Sequence, residues 1–121
     1  MNIDTGVKTN IKKILLVNFK NKILPIEVCN ICLFRVNFGS TELYTSDGNN
    51  YNINYSLEEL ETMVGSDFFR ANRQYIIARF AIEDIEQMSM RKFQVNLKLK
   101  KDFEILIGKQ KIPAFIKWLE A

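Results

Sequence analysis

The chain contains no histidine. That removes the Ser/His/Asp and Cys/His nucleophilic systems in their usual form. Cysteine is almost as scarce, with Cys29 and Cys32 alone, and a structural zinc site needs four ligands. A redox C-x-x-C normally opens a helix. These two sit among Ile26, Val28, Ile31, Leu33, Phe34 and Val36, which read as strand, so buried or half-buried thiols are expected rather than a metal or redox site. Glycine (5) and proline (2) are sparse. The isolated glycines of "GST" and "GSD" form neither a phosphate loop nor a dinucleotide fingerprint. No apolar run reaches the length of a membrane span. The "ILLV" behind Lys12 and Lys13 is too short for the apolar region of a signal peptide, so a cytoplasmic protein without membrane attachment is expected.

What is present describes one globular domain. The length of 121 residues, 47% hydrophobic and 26% charged, is enough to bury a core without staples. Residues 1–12 are polar and unpatterned and predict a flexible N-terminus or linker, with the domain over 13–121. The net charge of +3 is mild, but its distribution is uneven. From Phe68 to Ile82 there are three arginines and no acid, and from Gln87 to Lys101 five basic residues and no acid. The acids gather at Glu58, Glu59, Glu61 and Asp67, so the folded surface is expected to carry a basic face.

Periodicity predicts a mainly β fold. "ILLVNF" has strand branching, and "KILPIEVCNICLFRV" supplies further strand with Pro25 interrupting the ladder. "NFGS" is a turn around Gly39. "TELYT" and "YNINY" flank Asp47–Gly48, a hairpin signal. Ser56 with Glu59 three residues on is a capping box, and Leu57, Leu60 and Val64 share the face of a helix that Gly65 ends. "AIEDIEQM" reads as a short helical turn or an irregular entry to a strand. "KFQVNLKLK" alternates strictly, with Phe93, Val95, Leu97 and Leu99 on one face. The last segment places Ile112, Phe115, Ile116 and Leu119 at helical spacing, Pro113 being tolerated in a first turn. The expected architecture is therefore at least six antiparallel strands in hairpins, one short central helix and a short C-terminal helix.

Glu58, Glu59 and Glu61 are better explained by helix capping and solvation than by acid–base catalysis, so no enzyme is expected, and no cofactor. The remaining candidates are polar loops rich in Arg, Asn, Gln and Lys. Such side chains make paired contacts with base edges and single contacts with phosphates. Composition alone favours a blander reading, a solvated basic loop. A third reading is a β-rich protein-interaction or signalling module whose basic face meets an acidic partner.

The stretch "SLEELETMVGSDFFRANRQYIIARFAIEDIEQM" resembles the central signature of the LytTR family of bacterial DNA-binding domains. That signature is a capped helix, an aromatic doublet, a polar triplet, a Tyr/Ile strand and an I-x-x-I stretch. The flanking hairpins and terminal helix extend the resemblance over roughly residues 14 to 120. It implies a mostly β domain that reads DNA with loops. It also implies a transcription regulator, either stand-alone or the output half of a two-component response regulator. The partner would be double-stranded DNA carrying repeated promoter elements, with loop side chains in successive major grooves. A homodimer on DNA and a receiver domain in the full-length protein are left open.

Carried over by position, the base-reading loop is Asn37, Phe38 and Ser40. The polar triplet is Asn72, Arg73 and Gln74, with Arg70 just before it, and the junction is Gly108, Lys109, Gln110 and Lys111. The chain departs from the family pattern at Asn72, where a histidine is common, and at Gln74, where serine is. Ala78–Arg79 replaces Val-Asn. The junction arginine is Lys109 or Lys111.

Overall fold

A computed structural model describes residues 11–121. The expected flexible start therefore lies, up to residue 10, outside the described residues. Lys12 is already tied to the domain, its N–H donating to the Met63 carbonyl at 2.7 Å.

Ten strands and two α-helices follow one another among these residues. The strands are β1 (Ile14–Phe19), β2 (Lys22–Glu27), β3 (Ile31–Asn37), β4 (Ser40–Thr45), β5 (Asn50–Ile53), β6 (Phe68–Arg70), β7 (Tyr75–Ala78), β8 (Ile82–Met88), β9 (Lys92–Leu97) and β10 (Ile105–Ile107). The helices are α1 (Leu57–Met63), between β5 and β6, and α2 (Ile112–Glu120), at the end. All pairing is antiparallel, as the hairpin signals predict. The strands form a central sheet in the order β5-β4-β3-β7-β6, a β1-β2 pair and a β10-β9-β8 sheet.

The central sheet is buried on both faces because its middle strands are apolar on both faces. In β3 and β7, Leu33 and Ile77 point to one side and Phe34 and Ile76 to the other. On the first side, β8–β10 and α2 bring Val95, Leu97, Ile105, Ile107 and Phe115. On the second, β1 and α1 bring Leu15, Val17, Leu57 and Leu60. A register shift between Ile31 and Leu33 breaks the alternation, so that Cys32 and Leu33 both join the first cluster. A run such as "ICLF" is what a strand with two covered faces requires.

The capping box forms as expected. The Glu59 N–H donates to Ser56 Oγ at 3.1 Å, and the Ser56 N–H donates to the Glu59 carboxylate at 2.9 Å. Gly65 follows the helix at φ +81°, the left-handed position that favours glycine. Ser56→Ala should therefore cost about 1 kcal/mol of stability, read as a lower midpoint in urea denaturation at an unchanged slope. An unchanged midpoint would mean that the capping box contributes nothing to the fold.

Several expectations are corrected. Of the two readings of "AIEDIEQM", the irregular strand entry is the one that forms and the helical turn is not: Ile82–Met88 is a strand with a register shift between Ile82 and Asp84, and Ile82 and Ile85 turn inward against β9. Pro25 does not interrupt β2; that strand pairs with β1 alone, so a residue lacking an N–H fits at its free edge. "CNIC" is not all strand: Val28–Asn30 is a 3-10 turn. Consequently Cys29 is exposed, while Cys32 is buried and its thiol pushed up in pKa by that burial and by Asp47. In α2, Ile116 is exposed and Trp118 packs on the core in its place.

Candidate nucleic-acid interface

Two of the three arginines between Phe68 and Ile82 are neutralised by acids that sequence separation hides. Arg70 leaves β6 under α1, where Glu58 and Glu61 stand three apart on one helical face. Its Nη1 donates to Glu61 at 2.8 Å and its Nη2 to Glu58 at 3.3 Å. The same guanidinium donates to the backbone carbonyls of Asn72 (2.6 Å) and Arg73 (3.1 Å). Arg70 thus ties the loop between β6 and β7 to α1. Glu58 is held below the usual carboxylate range, first by its own N–H in the first helical turn and then by Arg70.

Arg79 is engaged at the other end of β7. It lies over the Trp118 ring at 4.8 Å, donates to the Trp118 carbonyl at 2.7 Å and pairs with Asp67 at 3.4 Å. A cation on a carbonyl of the last turn of α2 suits the helix dipole. Trp118 Nε1 donates to the Ser66 carbonyl at 2.7 Å, so both groups fasten the end of α2 to the body.

Asn72 is also turned inward. Its amide donates to the Leu106 carbonyl at 2.8 Å, and its oxygen accepts from the Gln74 N–H at 2.8 Å. The second bond is an Asx turn, which closes the loop on itself; the first stitches it to β10. Arg73 and Gln74 are left exposed, with no side-chain hydrogen bond or ion pair among the described residues.

The stitch brings the triplet and the junction together. Gly108 to Lys111 leaves β10 and leads through a 3-10 turn into α2. Gly108, Lys109, Gln110 and Lys111 line one cleft of about 710 Å³ with Glu61, Arg70, Asn72 and Arg73. The two lysines differ within it. Lys111 Nζ donates to the Arg70 carbonyl at 2.6 Å and lies 5.5 Å from the Phe69 ring centroid. Burial holds that amine below its ordinary pKa, helped by the Arg70 guanidinium and opposed by Glu61. Lys109 is exposed and has no side-chain partner among the described residues.

Asn37, Phe38 and Ser40 do not line this cleft. They form the β3–β4 hairpin, turned by Phe38 (φ 51°) and Gly39 (φ 77°). Phe38 is 99% exposed, an aromatic with nothing among the described residues to cover it. Ser40 opens onto a separate polar hollow of about 360 Å³ beside Asn52 and Asn54. The hairpin nevertheless adjoins the triplet, because the Val36 N–H donates to the Gln74 carbonyl at 2.9 Å. Three loops far apart in sequence are therefore neighbours at one end of the domain, and the side chains they leave exposed include Phe38, Ser40, Arg73, Gln74, Lys109, Gln110 and, although bonded to the Arg70 carbonyl, Lys111.

A family model described as the LytTr DNA-binding domain matches residues 21–120, nearly the whole chain. The chain belongs to the LytTr DNA-binding domain family. Its fold is also that of a solved LytTr domain from Bacillus cereus, described as part of a methyl-accepting/DNA response regulator. The two align with a TM-score of 0.77 at 16% identity, over 91% of this chain and 99% of that one. At that identity the likeness concerns the fold. No curated protein matches the chain. No helix among the described residues of this LytTr domain is long and apolar enough to cross a membrane.

The sequence assigned Glu61 only to capping and solvation of α1, yet it lines the cleft and anchors Arg70. A signal for it existed: Glu58 and Glu61 three apart on a capped helix must share a face. Which arginine that face meets depends on how α1 packs across β6.

Proposed function

We propose that this LytTr domain is a sequence-specific transcription regulator that reads the major groove of double-stranded DNA with its end loops. The observation that carries the reading is the convergence of the three loops, with cationic and amide side chains left unpaired at their tips. Arg73 is the foremost candidate for a base edge, since an exposed guanidinium fork suits the paired acceptors of guanine. Gln74 and the hairpin residues Asn37, Phe38 and Ser40 flank it. Lys109 faces phosphate beside the first turn of α2, whose N–H groups favour anions. Arg70 and Asn72 set the shape of the loops, their polar groups being committed within the protein, while Lys111 is exposed and keeps donors for phosphate beside its bond to the Arg70 carbonyl. Two such domains on repeated promoter elements would give a homodimer on DNA. A receiver domain in the full-length protein would make this the output half of a cytoplasmic two-component response regulator.

The test is selection of bound sites from a random duplex pool, followed by titration of two variants. Arg73→Ala should cost roughly 1–3 kcal/mol of affinity for the selected site and relax specificity at one base pair. Lys109→Ala should weaken selected and random duplexes about equally and reduce the salt slope by roughly one. Failure of the pool to yield a motif, together with binding that random duplex does not compete, would favour an acidic protein partner over DNA.

A further inference from the structure

The third sheet carries another basic element to the same end of the domain. In the β9–β10 pair Phe93 stands opposite Ile107. The next position outward therefore sets Lys92 beside Gly108, the residue that opens the Lys109–Lys111 segment of the cleft. The β8–β9 hairpin closes immediately beyond, through Ser89, Met90 and Arg91.

The turn is made by an unusual pair. Met90 (φ 62°) and Arg91 (φ 58°) are consecutive residues in the left-handed region. Glycine, and after it asparagine, normally fills such positions, since a Cβ is strained there, yet this three-residue loop carries two of them in a row. Here the strained positions hold long side chains, and Met90 is 84% exposed. Arg91 and Lys92 are exposed, with no side-chain hydrogen bond or ion pair among the described residues. The nearest acid along β8, Glu86, is bonded to Asn96 at 3.0 Å and lies one pair further in than Lys92 along the same face. The tip thus presents two unneutralised cations next to the junction loop.

We propose that the Met90–Lys92 tip is a further DNA-contact element, in which Arg91 and Lys92 bind backbone phosphates flanking the base pairs faced by the cleft loops. The inference rests on the DNA-reading function above and extends its footprint to the third sheet. Phosphate contacts set register and orientation without reading sequence. The tip therefore contributes affinity to every duplex alike.

Two variants test it against wild type and Lys109→Ala, each titrated over a salt series with the selected site and a random duplex. Arg91→Ala combined with Lys92→Ala should weaken both duplexes by the same factor, on the order of tenfold, and make the salt slope shallower by roughly one to two. Met90→Asn combined with Arg91→Gly installs the residues the turn prefers. It should raise the melting temperature and still weaken binding to both duplexes, a split that loss of structure cannot produce. If both tip variants keep the wild-type slope while Lys109→Ala reduces it, the tip lies off the DNA and only this inference falls. If the wild type binds no duplex, the functional reading falls and takes the tip with it. Weakening confined to the selected site would mean that the tip reads bases, and would overturn the phosphate assignment.

Discussion

Phe115→Ala should destabilise the domain by about 3–5 kcal/mol, the range for truncating a fully buried aromatic. The ring has no exposed surface. Its centroid lies 5.4 Å from Phe69, 5.9 Å from Trp118 and 6.5 Å from Phe93. These partners come from β6, α2 and β9, so a cavity here loosens three elements that cannot collapse together. The consequence reaches function, because α2 holds the junction segment, and its Trp118 is fastened to Ser66 and Arg79. Urea denaturation should show a lower midpoint at an unchanged slope. A loss below about 1 kcal/mol would mean that the three elements repack freely, and that α2 does not clamp the junction.

The second large effect is expected at Arg70. Its side chain is only 16% exposed, and it holds two backbone carbonyls of the loop that presents Arg73. Hydrogen bonds to a charged group are worth about 1.5–3 kcal/mol each when broken, so Arg70→Ala should cost at least that much stability. It should also reduce specific affinity roughly tenfold, about 1.4 kcal/mol, through a disordered Arg73. Arg70→Lys should rescue little, since an ammonium lacks the planar fork that reaches carboxylate and carbonyls together. Glu58→Gln should change little, because that carboxylate stands largely in water. Amide exchange of Ala71 and Gln74, the loop N–H groups with acceptors, separates the cases: protection lost in Arg70→Ala but kept in Glu58→Gln is the expected pattern. Full affinity in a folded Arg70→Ala protein would show that the loop keeps its shape without the guanidinium.

Local rules written along the chain were enough for much of this molecule. The capping box at Ser56 and Glu59, the Asp47–Gly48 hairpin and the alternation of Phe93, Val95 and Leu97 each depend on residues a few positions apart. Their geometry follows from backbone stereochemistry and a single buried face. The same holds for the mainly β class, and the family signature around "FFRANRQYII" is itself a contiguous string. Where a local rule failed, a neighbour from elsewhere was the cause. "AIEDIEQM" left helical turn and irregular strand entry open, and β9, by pairing with it, decided for the strand. Ile116 stayed outside because Trp118 found Phe69 and Arg79.

The site depended far more on tertiary structure. Charge counted along the sequence made Arg70, Arg73 and Arg79 alike, three cations with no acid nearby. Packing separated them, placing Glu58 and Glu61 over Arg70 and Trp118 over Arg79, and leaving Arg73 alone in water. Asn72 looked as available as Gln74 until Leu106, far along the chain, supplied a carbonyl for its amide. Lys109 and Lys111 were indistinguishable until one amine met the Arg70 carbonyl. Sequence by itself determined which polar groups the domain possesses and which elements carry them. Only the fold decided which were consumed inside and which remain outside, because an ion pair or a buried hydrogen bond depends on distance in space, and that distance is set by sheets joining strands far apart in the chain.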